Sequence, residues 1–154
     1  MVSVDISDPD IVRRPTEYLL GDDVGQLSPM MVYRITADGF ELNDVQKMLS
    51  ISHLYSTRGI LRHIVGTSIK RSQGRHAGNS SVRLDSHQSA IAFQYAKILE
   101  LAINTFGTQT LAEEWLGRPC KYLDCEIPLG VLDNSVGFQA VEQYLDRIKC
   151  GIYQ

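Results

Sequence analysis

The four histidines and three cysteines are the residues of this 154-residue chain that are best suited to metal binding or nucleophilic chemistry. His53 and His63 lie ten positions apart, and His76 and His87 lie eleven apart, so neither pair has metal-ligand spacing. The cysteines are Cys120, Cys125 and Cys150. Because they include no Cys-x-x-Cys pair, we expect free thiols or small apolar side chains and no metal site.

Paired acids and nucleotide-binding loops would be the other sources of catalysis. Glu113 and Glu114 are adjacent, so on a helix they point in different directions and cannot act as an acid–base pair. Acids in a first helical turn are favoured by the helix dipole, which is the simpler interpretation of both residues. The sequence has no nucleophile-elbow, zincin, dinucleotide-binding or P-loop motif. We therefore expect a protein that is not an enzyme and that needs no cofactor.

Charge and composition narrow the class of protein further. Residues 1–39 and 91–154 are net acidic, whereas residues 40–90 carry seven basic and three acidic residues. A basic block between acidic flanks indicates an anionic partner, and a solvated basic face is the alternative. There is no apolar run of about 18 residues and no secretory signal at the N-terminus. Together with the unpaired cysteines, this favours a cytoplasmic protein without a membrane span.

The N-terminal half has weak helical patterns. Residues 1–26 are rich in Pro, Gly and Asp, and we expect a mobile or loosely docked acidic arm there. Ser28 and Pro29 predict the cap and first position of a short helix that ends at Asp38-Gly39. Within residues 27–70, a helix with Asn43 and Gln46 at capping-box spacing, a turn and a second helix predict a helix-turn-helix-like domain.

If that motif binds DNA, its second helix faces a major groove. The predicted groove-facing residues are Ser52, His53, Tyr55, Ser56 and Arg58. Arg58 is the residue suited to guanine, and Arg62, Lys70 and Arg71 are the predicted phosphate contacts. A purely structural pair of helices is the alternative, because several positions depart from the usual helix-turn-helix pattern.

Stronger patterns follow a Gly- and Ser-rich linker at residues 71–84. Residues 85–154 predict four helices with short loops and no strand, so the fold class is all-α, with a C-terminal four-helix bundle. Asp85 and Gln88 have capping-box spacing, as do Thr110 and Glu113. Gly107 and Gly151 are predicted to end the first and last helices of the four.

The end of the chain is a candidate binding element. Gln154 lies three residues after Gly151, so Ile152-Tyr153-Gln154 is expected to be a short peptide held by a packed helix. Such a peptide enters a cleft of another protein at low entropic cost, whereas a frayed terminus is the ordinary alternative.

The run AEEWLGRP, followed by IPLGVLDNSVGFQAVEQYLDRIKCGIY, resembles the toxin-binding domain of Xre/MbcA/ParS-type antitoxins over about residues 84–154. The matching positions are Ala112, Trp115, Leu116, Pro119, Pro128, Leu129, Leu132, Gly137, Val141, Glu142, Leu145, Ile148 and Gly151. Family members often carry arginines early in the first helix of this domain, where this chain has Ile91 and Gln94.

The resemblance implies a partner and a mechanism. It implies that the chain neutralises a RES-domain toxin, which consumes NAD, by filling the toxin's active-site cleft with its C-terminal end. By position, the toxin-binding residues are Lys149, Gly151, Ile152, Tyr153 and Gln154. It also implies a homodimer within a larger toxin–antitoxin complex, and repression of the operon by contact with operator DNA. The alternative is a stand-alone helix-turn-helix transcription regulator with a C-terminal dimerisation domain.

Overall fold

In the computed structural model, residues 13–66 and 82–151 are described. Within these ranges the chain forms α-helices and short 3₁₀ turns. Two isolated β-bridges occur there, but no β-strand. The helices are α1 (Pro15–Leu20), α2 (Pro29–Asp38), α3 (Leu42–Ser50), α4 (His53–Thr57), α5 (Ile60–Val65), α6 (Ser86–Phe106), α7 (Gln109–Leu116) and α8 (Ser135–Lys149). The 3₁₀ turns are Val24–Gln26, Lys121–Leu123 and Pro128–Val131. The all-α fold class predicted from the sequence is confirmed.

The longest helix, α6, is the centre of the fold. Its apolar stripe of Ile91, Tyr95, Ile98 and Ala102 is buried, as the helical spacing of these residues predicts. The helix packs against α7 and α8 and also against α1, α2 and α5. One hydrophobic core therefore runs through both halves of the chain.

Local caps fix the ends of α6. The Gln88 backbone N–H donates to Asp85 Oδ1 at 2.7 Å, and the Asp85 N–H donates to Gln88 Oε1 at 3.0 Å. This reciprocal pair is the predicted capping box. At the other end, Gly107 takes a left-handed conformation with φ 93°, which confirms it as the stop of the helix.

Two other predicted capping boxes are wrong. Glu41 is the cap of α3, so Asn43 and Gln46 both lie inside that helix. Helix α7 starts earlier than predicted, because the Thr108 hydroxyl accepts the Leu111 N–H at 3.2 Å. In α7 the Thr108 side chain satisfies a free N–H of the first turn, whereas Glu41 makes no side-chain hydrogen bond to the start of α3.

Part of the predicted acidic arm is ordered structure. Residues 15–20 form α1, whose Thr16 and Leu19 are buried against the rest of the molecule. The Thr16 hydroxyl donates to both carboxylate oxygens of Glu100, at 3.1 Å each. A six-residue helix is too short to show a helical period in the sequence, and its contacts with α3 and α6 fix its position. Residues 1–12 lie outside the described ranges.

The predicted second helix of the helix-turn-helix is divided in two. Helix α4 ends at Thr57, Gly59 takes a left-handed conformation with φ 64°, and α5 follows from Ile60. The division arises because glycine adopts this conformation without a steric penalty and so allows the chain to turn. Residues 67–69, the predicted end of that helix, are not described.

The final residues of the predicted linker are fixed on the N-terminal half. The Leu42 N–H donates to the Val82 carbonyl at 2.8 Å, and the Leu84 N–H donates to the Phe40 carbonyl at 2.9 Å. Leu84 is buried in the shared core. The described parts of the two predicted domains, 27–70 and 85–154, are thus packed together, and the boundary at 71–84 stays a prediction.

Among residues 13–66 and 82–151, no helix combines the length and the hydrophobicity that a bilayer span requires.

Candidate functional site

The last helix, α8, is fixed to the bundle on its buried side. Val141 and Leu145 are fully buried, and Glu142 pairs with Lys97 of α6 through an Oε2–Nζ distance of 3.0 Å. Glu142 Oε2 is buried and accepts no hydrogen bond, so the neighbouring Lys97 ammonium compensates its charge by proximity alone. The C-terminal turn of α8 therefore has a defined position relative to α6.

The start of α8 lies against the Pro128–Val131 turn. Asn134 caps the helix by accepting the N–H groups of Val136 and Gly137. A Cβ atom at Gly137 would stand 2.2 Å from the Val131 carbonyl oxygen, so this contact requires glycine. The family-like glycine at 137 is thus explained by a close approach of backbone to backbone.

Gln94 also holds this turn in place. Its side-chain amide donates to the Leu132 carbonyl at 2.7 Å, and its neighbour on the helix, Ile91, is buried. These are the two positions at which the resemblance described above implies arginine. In this chain they are used for internal packing.

Four aromatic rings form a stacked series between α6, α7, α8 and the Lys121–Leu123 turn. The ring centroids of Phe106 and Trp115 are 5.4 Å apart, those of Trp115 and Tyr144 are 5.7 Å apart, and those of Tyr144 and Tyr122 are 5.6 Å apart. Trp115 and Tyr144 are nearly parallel, with an interplanar angle of 12°. Tyr122 is the exposed end of the series, with 64% of its surface accessible.

A closed loop at residues 120–126 presents Tyr122. The Cys120 N–H donates to the Glu126 carbonyl at 2.9 Å, and the Cys125 N–H donates to the Cys120 carbonyl at 3.0 Å. Asp124 and Cys125 both have positive φ angles, 54° and 64°. Such angles are unfavourable for residues with a Cβ atom, so the loop is held in a strained conformation by its surroundings.

Two of the residues predicted to bind toxin lie at the C-terminal end of α8. Lys149 and Gly151 are exposed, and Gly151 has a φ of 73°, which ends the helix as predicted. Ile152, Tyr153 and Gln154 lie outside the described residues. The structure therefore places two of the five predicted residues together, at an accessible helix end.

The predicted DNA-contacting residues divide into two groups. His53, Ser56, Arg58 and Arg62 are exposed. Arg58 and Arg62, together with His63, line an open groove of about 630 Å³ on this face. Lys70 and Arg71 lie outside the described residues.

Ser52 and Tyr55, by contrast, point into the molecule. Ser52 is fully buried and Tyr55 is 1% exposed. The Tyr55 hydroxyl donates to the Tyr95 carbonyl at 2.7 Å, and burial raises the pKa of the Tyr55 hydroxyl well above its ordinary value. A buried side chain cannot contact a DNA groove, so the prediction for these two residues is wrong.

Sequence reasoning missed the contact between the two halves at Glu113. The Ser52 hydroxyl donates to Glu113 Oε1 at 2.5 Å, and the Gln109 amide of the same helix donates to the Ile51 carbonyl at 2.7 Å. Glu113 is thus an acceptor for the start of α4 and does not serve the start of its own helix. Nothing local in the sequence indicates this, because the partners are about 60 residues apart.

No cluster of histidine, cysteine or acidic residues suited to a metal ion occurs in the part of the chain that the structure describes. Cys120 is buried, while Cys125 and Cys150 are exposed free thiols. The arrangement of α6 to α8 provides exposed surfaces on a fixed helical frame, which is suited to binding another macromolecule.

Comparison with known protein families gives a match in the last third of the chain. Residues 101–151 match the family model of the antitoxin Xre/MbcA/ParS C-terminal toxin-binding domain. No curated protein matches the chain. The matched segment includes α7, the 120–126 loop, the Pro128–Val131 turn and α8. Residues 101–151 are therefore similar to the Xre/MbcA/ParS toxin-binding domain, and this similarity supports an antitoxin role for the chain.

Proposed function

We propose that this protein is the antitoxin of a type II toxin–antitoxin module and that it neutralises a RES-domain toxin that consumes NAD. The observation that carries the proposal is the toxin-binding family match over residues 101–151. The fold supports it, because the matched segment packs on α6 and ends in a helix whose last turn is exposed.

The proposed mechanism is occupation of the toxin's active-site cleft by Lys149, Gly151, Ile152, Tyr153 and Gln154. Helix α8 is fixed by its buried residues and by the ion pair between Glu142 and Lys97. A peptide that starts from a fixed point loses less conformational freedom on binding than one at the end of a mobile segment. The toxin's NAD is then excluded from its cleft by direct contact, without any catalytic step by the antitoxin.

The test is co-expression with the RES-domain protein of the neighbouring gene, with cell growth and cellular NAD as the two measurements. The full chain should restore both, and deletion of residues 152–154 should abolish the protection while leaving thermal unfolding unchanged. Full protection by the shortened chain would overturn the cleft-filling mechanism. Failure of the full chain to protect cells or to bind the toxin would overturn the antitoxin proposal itself.

We propose in addition that the toxin–antitoxin complex represses its own operon. The exposed residues His53, Ser56, Arg58 and Arg62, with Lys70 and Arg71, would contact operator DNA. Two arginines on one exposed face suit phosphate contacts or guanine contacts, both of which weaken with salt.

We also propose that the antitoxin is a homodimer in this complex. Light scattering of the purified complex would test this.

The matched experiment for DNA binding compares two sets of variants. Arg58→Ala combined with Arg62→Ala should weaken operator binding and reduce its salt dependence, whereas Arg34→Ala, an exposed arginine on α2, should change neither. Unchanged binding by the double variant would contradict the role of this face. Tight operator binding by the chain without any affinity for toxin would favour the stand-alone transcription regulator.

A further inference from the structure

We infer that the stacked pair Tyr122–Tyr144, here called the aromatic face, is a second contact surface for the toxin beside the C-terminal end. The inference rests on the proposed antitoxin function. It adds a contact that the residues at the chain end do not provide, and it identifies Tyr122 as a residue that carries binding energy.

The geometry of the pair is that of a preformed binding surface. Tyr122 is 64% exposed, yet its ring lies 5.6 Å from that of Tyr144 at an interplanar angle of 25°. Tyr144 in turn stacks on Trp115, which is half-buried. An exposed tyrosine ordinarily samples several rotamers, and stacking on a fixed ring restricts them before any partner arrives. Tyrosines in rigid positions are among the residues that most often dominate protein interfaces.

The loop that carries Tyr122 is strained in a way that packing alone does not explain. Asp124 and Cys125 are exposed, so their positive φ angles bury no side chain. A left-handed angle is unfavourable for Cys125, because its Cβ atom then lies close to the following carbonyl oxygen. Strain of this kind persists where the surroundings impose it, and it clusters at binding sites. Here the imposed conformation closes the 120–126 loop and sets the Tyr122 ring against α8.

The aromatic face is continuous with the proposed toxin-binding end. Tyr144 lies five residues before the end of α8 at Lys149, and Gly151 follows two residues after that end. The helical rise from Tyr144 to Lys149 is about 7.5 Å. A toxin that receives the residues after Gly151 in its cleft therefore has its rim near Tyr144 and Tyr122.

The chemistry of the face defines the surface that it fits. The exposed phenol of Tyr122 presents an apolar ring and a hydroxyl group, and the exposed residues beside it carry charges of both signs, Lys121 and Asp124. The matching toxin surface is an apolar groove with hydrogen-bonding groups at its edge. Because no single charge dominates, affinity at this contact should depend weakly on salt, unlike binding to DNA.

The test measures the dissociation constant between the purified toxin and the full-length antitoxin. Tyr122→Ala should weaken binding by about tenfold or more, as expected for a tyrosine at the centre of an interface. Tyr122→Phe should bind within about threefold of the unchanged chain, because it keeps the ring. The matched control is Tyr33→Ala on α2, since Tyr33 and Tyr122 are both 64% exposed, and it should leave binding unchanged.

The outcomes of this experiment distinguish failure of the aromatic-face contact from failure of the antitoxin proposal. If Tyr122→Ala binds as tightly as the unchanged chain, the aromatic face is not a toxin contact, although the antitoxin proposal stands. If the unchanged chain does not bind the toxin, the proposed function itself fails. Circular dichroism melts of all variants separate a binding effect from unfolding, and Tyr122→Gln provides a second variant if the alanine variant does not fold.

Discussion

Ser52, the N-cap residue of α4, donates its hydroxyl to the Glu113 carboxylate of α7 at 2.5 Å, across 61 residues of sequence. The same carboxylate oxygen accepts the Leu54 N–H at 3.4 Å, so one acid is placed at the N-terminus of α4, where a negative charge is favourable. The helix-turn-helix-like segment is thereby joined to the segment that matches the toxin-binding family.

Glu113→Ala should destabilise the protein by about 1–3 kcal/mol, because it leaves the buried Ser52 hydroxyl without its acceptor. Urea unfolding measures this free energy. Glu114→Ala is the matched control, since Glu114 is the exposed neighbour on the same helix, and it should change stability by less than about 0.5 kcal/mol. Equal effects of the two substitutions would contradict the assigned contact.

Gly137→Ala should destabilise the start of α8 by about 1–3 kcal/mol, because the added Cβ would overlap the Val131 carbonyl, 2.2 Å away. The backbone must move to relieve that overlap. Gly130→Ala, where nothing lies within 4 Å of the new atom, is the control for the loss of glycine alone. A fall in the melting temperature confined to the Gly137 variant would support the close contact, and similar melts would contradict it.

Glu100→Gln should stabilise the protein at neutral pH. Burial raises the pKa of the Glu100 carboxyl, and the hydrogen bond from Thr16 offsets that effect only in part. The folded state therefore binds this proton more tightly than the unfolded chain does. The stabilisation from the neutral acid is complete below the ordinary pKa of glutamate and is lost as pH rises through the folded pKa.

The advantage of the glutamine variant should therefore be present at pH 7 and shrink as pH falls toward about 4, where glutamate itself becomes neutral. Thermal unfolding across this pH range tests the effect, with the exposed Glu114→Gln as control. A constant difference between the variant and the unchanged chain at all pH values would show that Glu100 does not titrate as described.

Cys125→Gly should stabilise the 120–126 loop by up to about 1 kcal/mol, because glycine adopts the φ of 64° without the steric penalty of a Cβ atom. The gain is limited by the greater freedom of glycine in the unfolded chain. Cys125→Ala removes the same exposed thiol but keeps the Cβ atom, so it should give no gain in denaturant unfolding. A gain that is equal in both variants would point to the thiol and not to the backbone.

The sequence alone predicted the features that depend on neighbours within a few residues. Ser28 and Pro29 start α2, and Asp85 and Gln88 cap α6, because a side chain satisfies free N–H groups only two or three residues away. The buried stripe of α6 and the two glycines that end α6 and α8 followed from helical spacing and from backbone conformation. The family resemblance over the second half has the same origin in a contiguous motif.

The tertiary structure alone decided which helices pack against each other and which side chains they bury. It buries Ser52 and Tyr55, which the helix-turn-helix pattern had placed toward DNA, and it brings Glu113 to α4 and Tyr122 to α8. It also docks α1 on Glu100, 84 residues along the chain from Thr16. Helical period marks which face of a helix is apolar, but it does not specify the partner, since partners distant in sequence are chosen by the packing of the whole core.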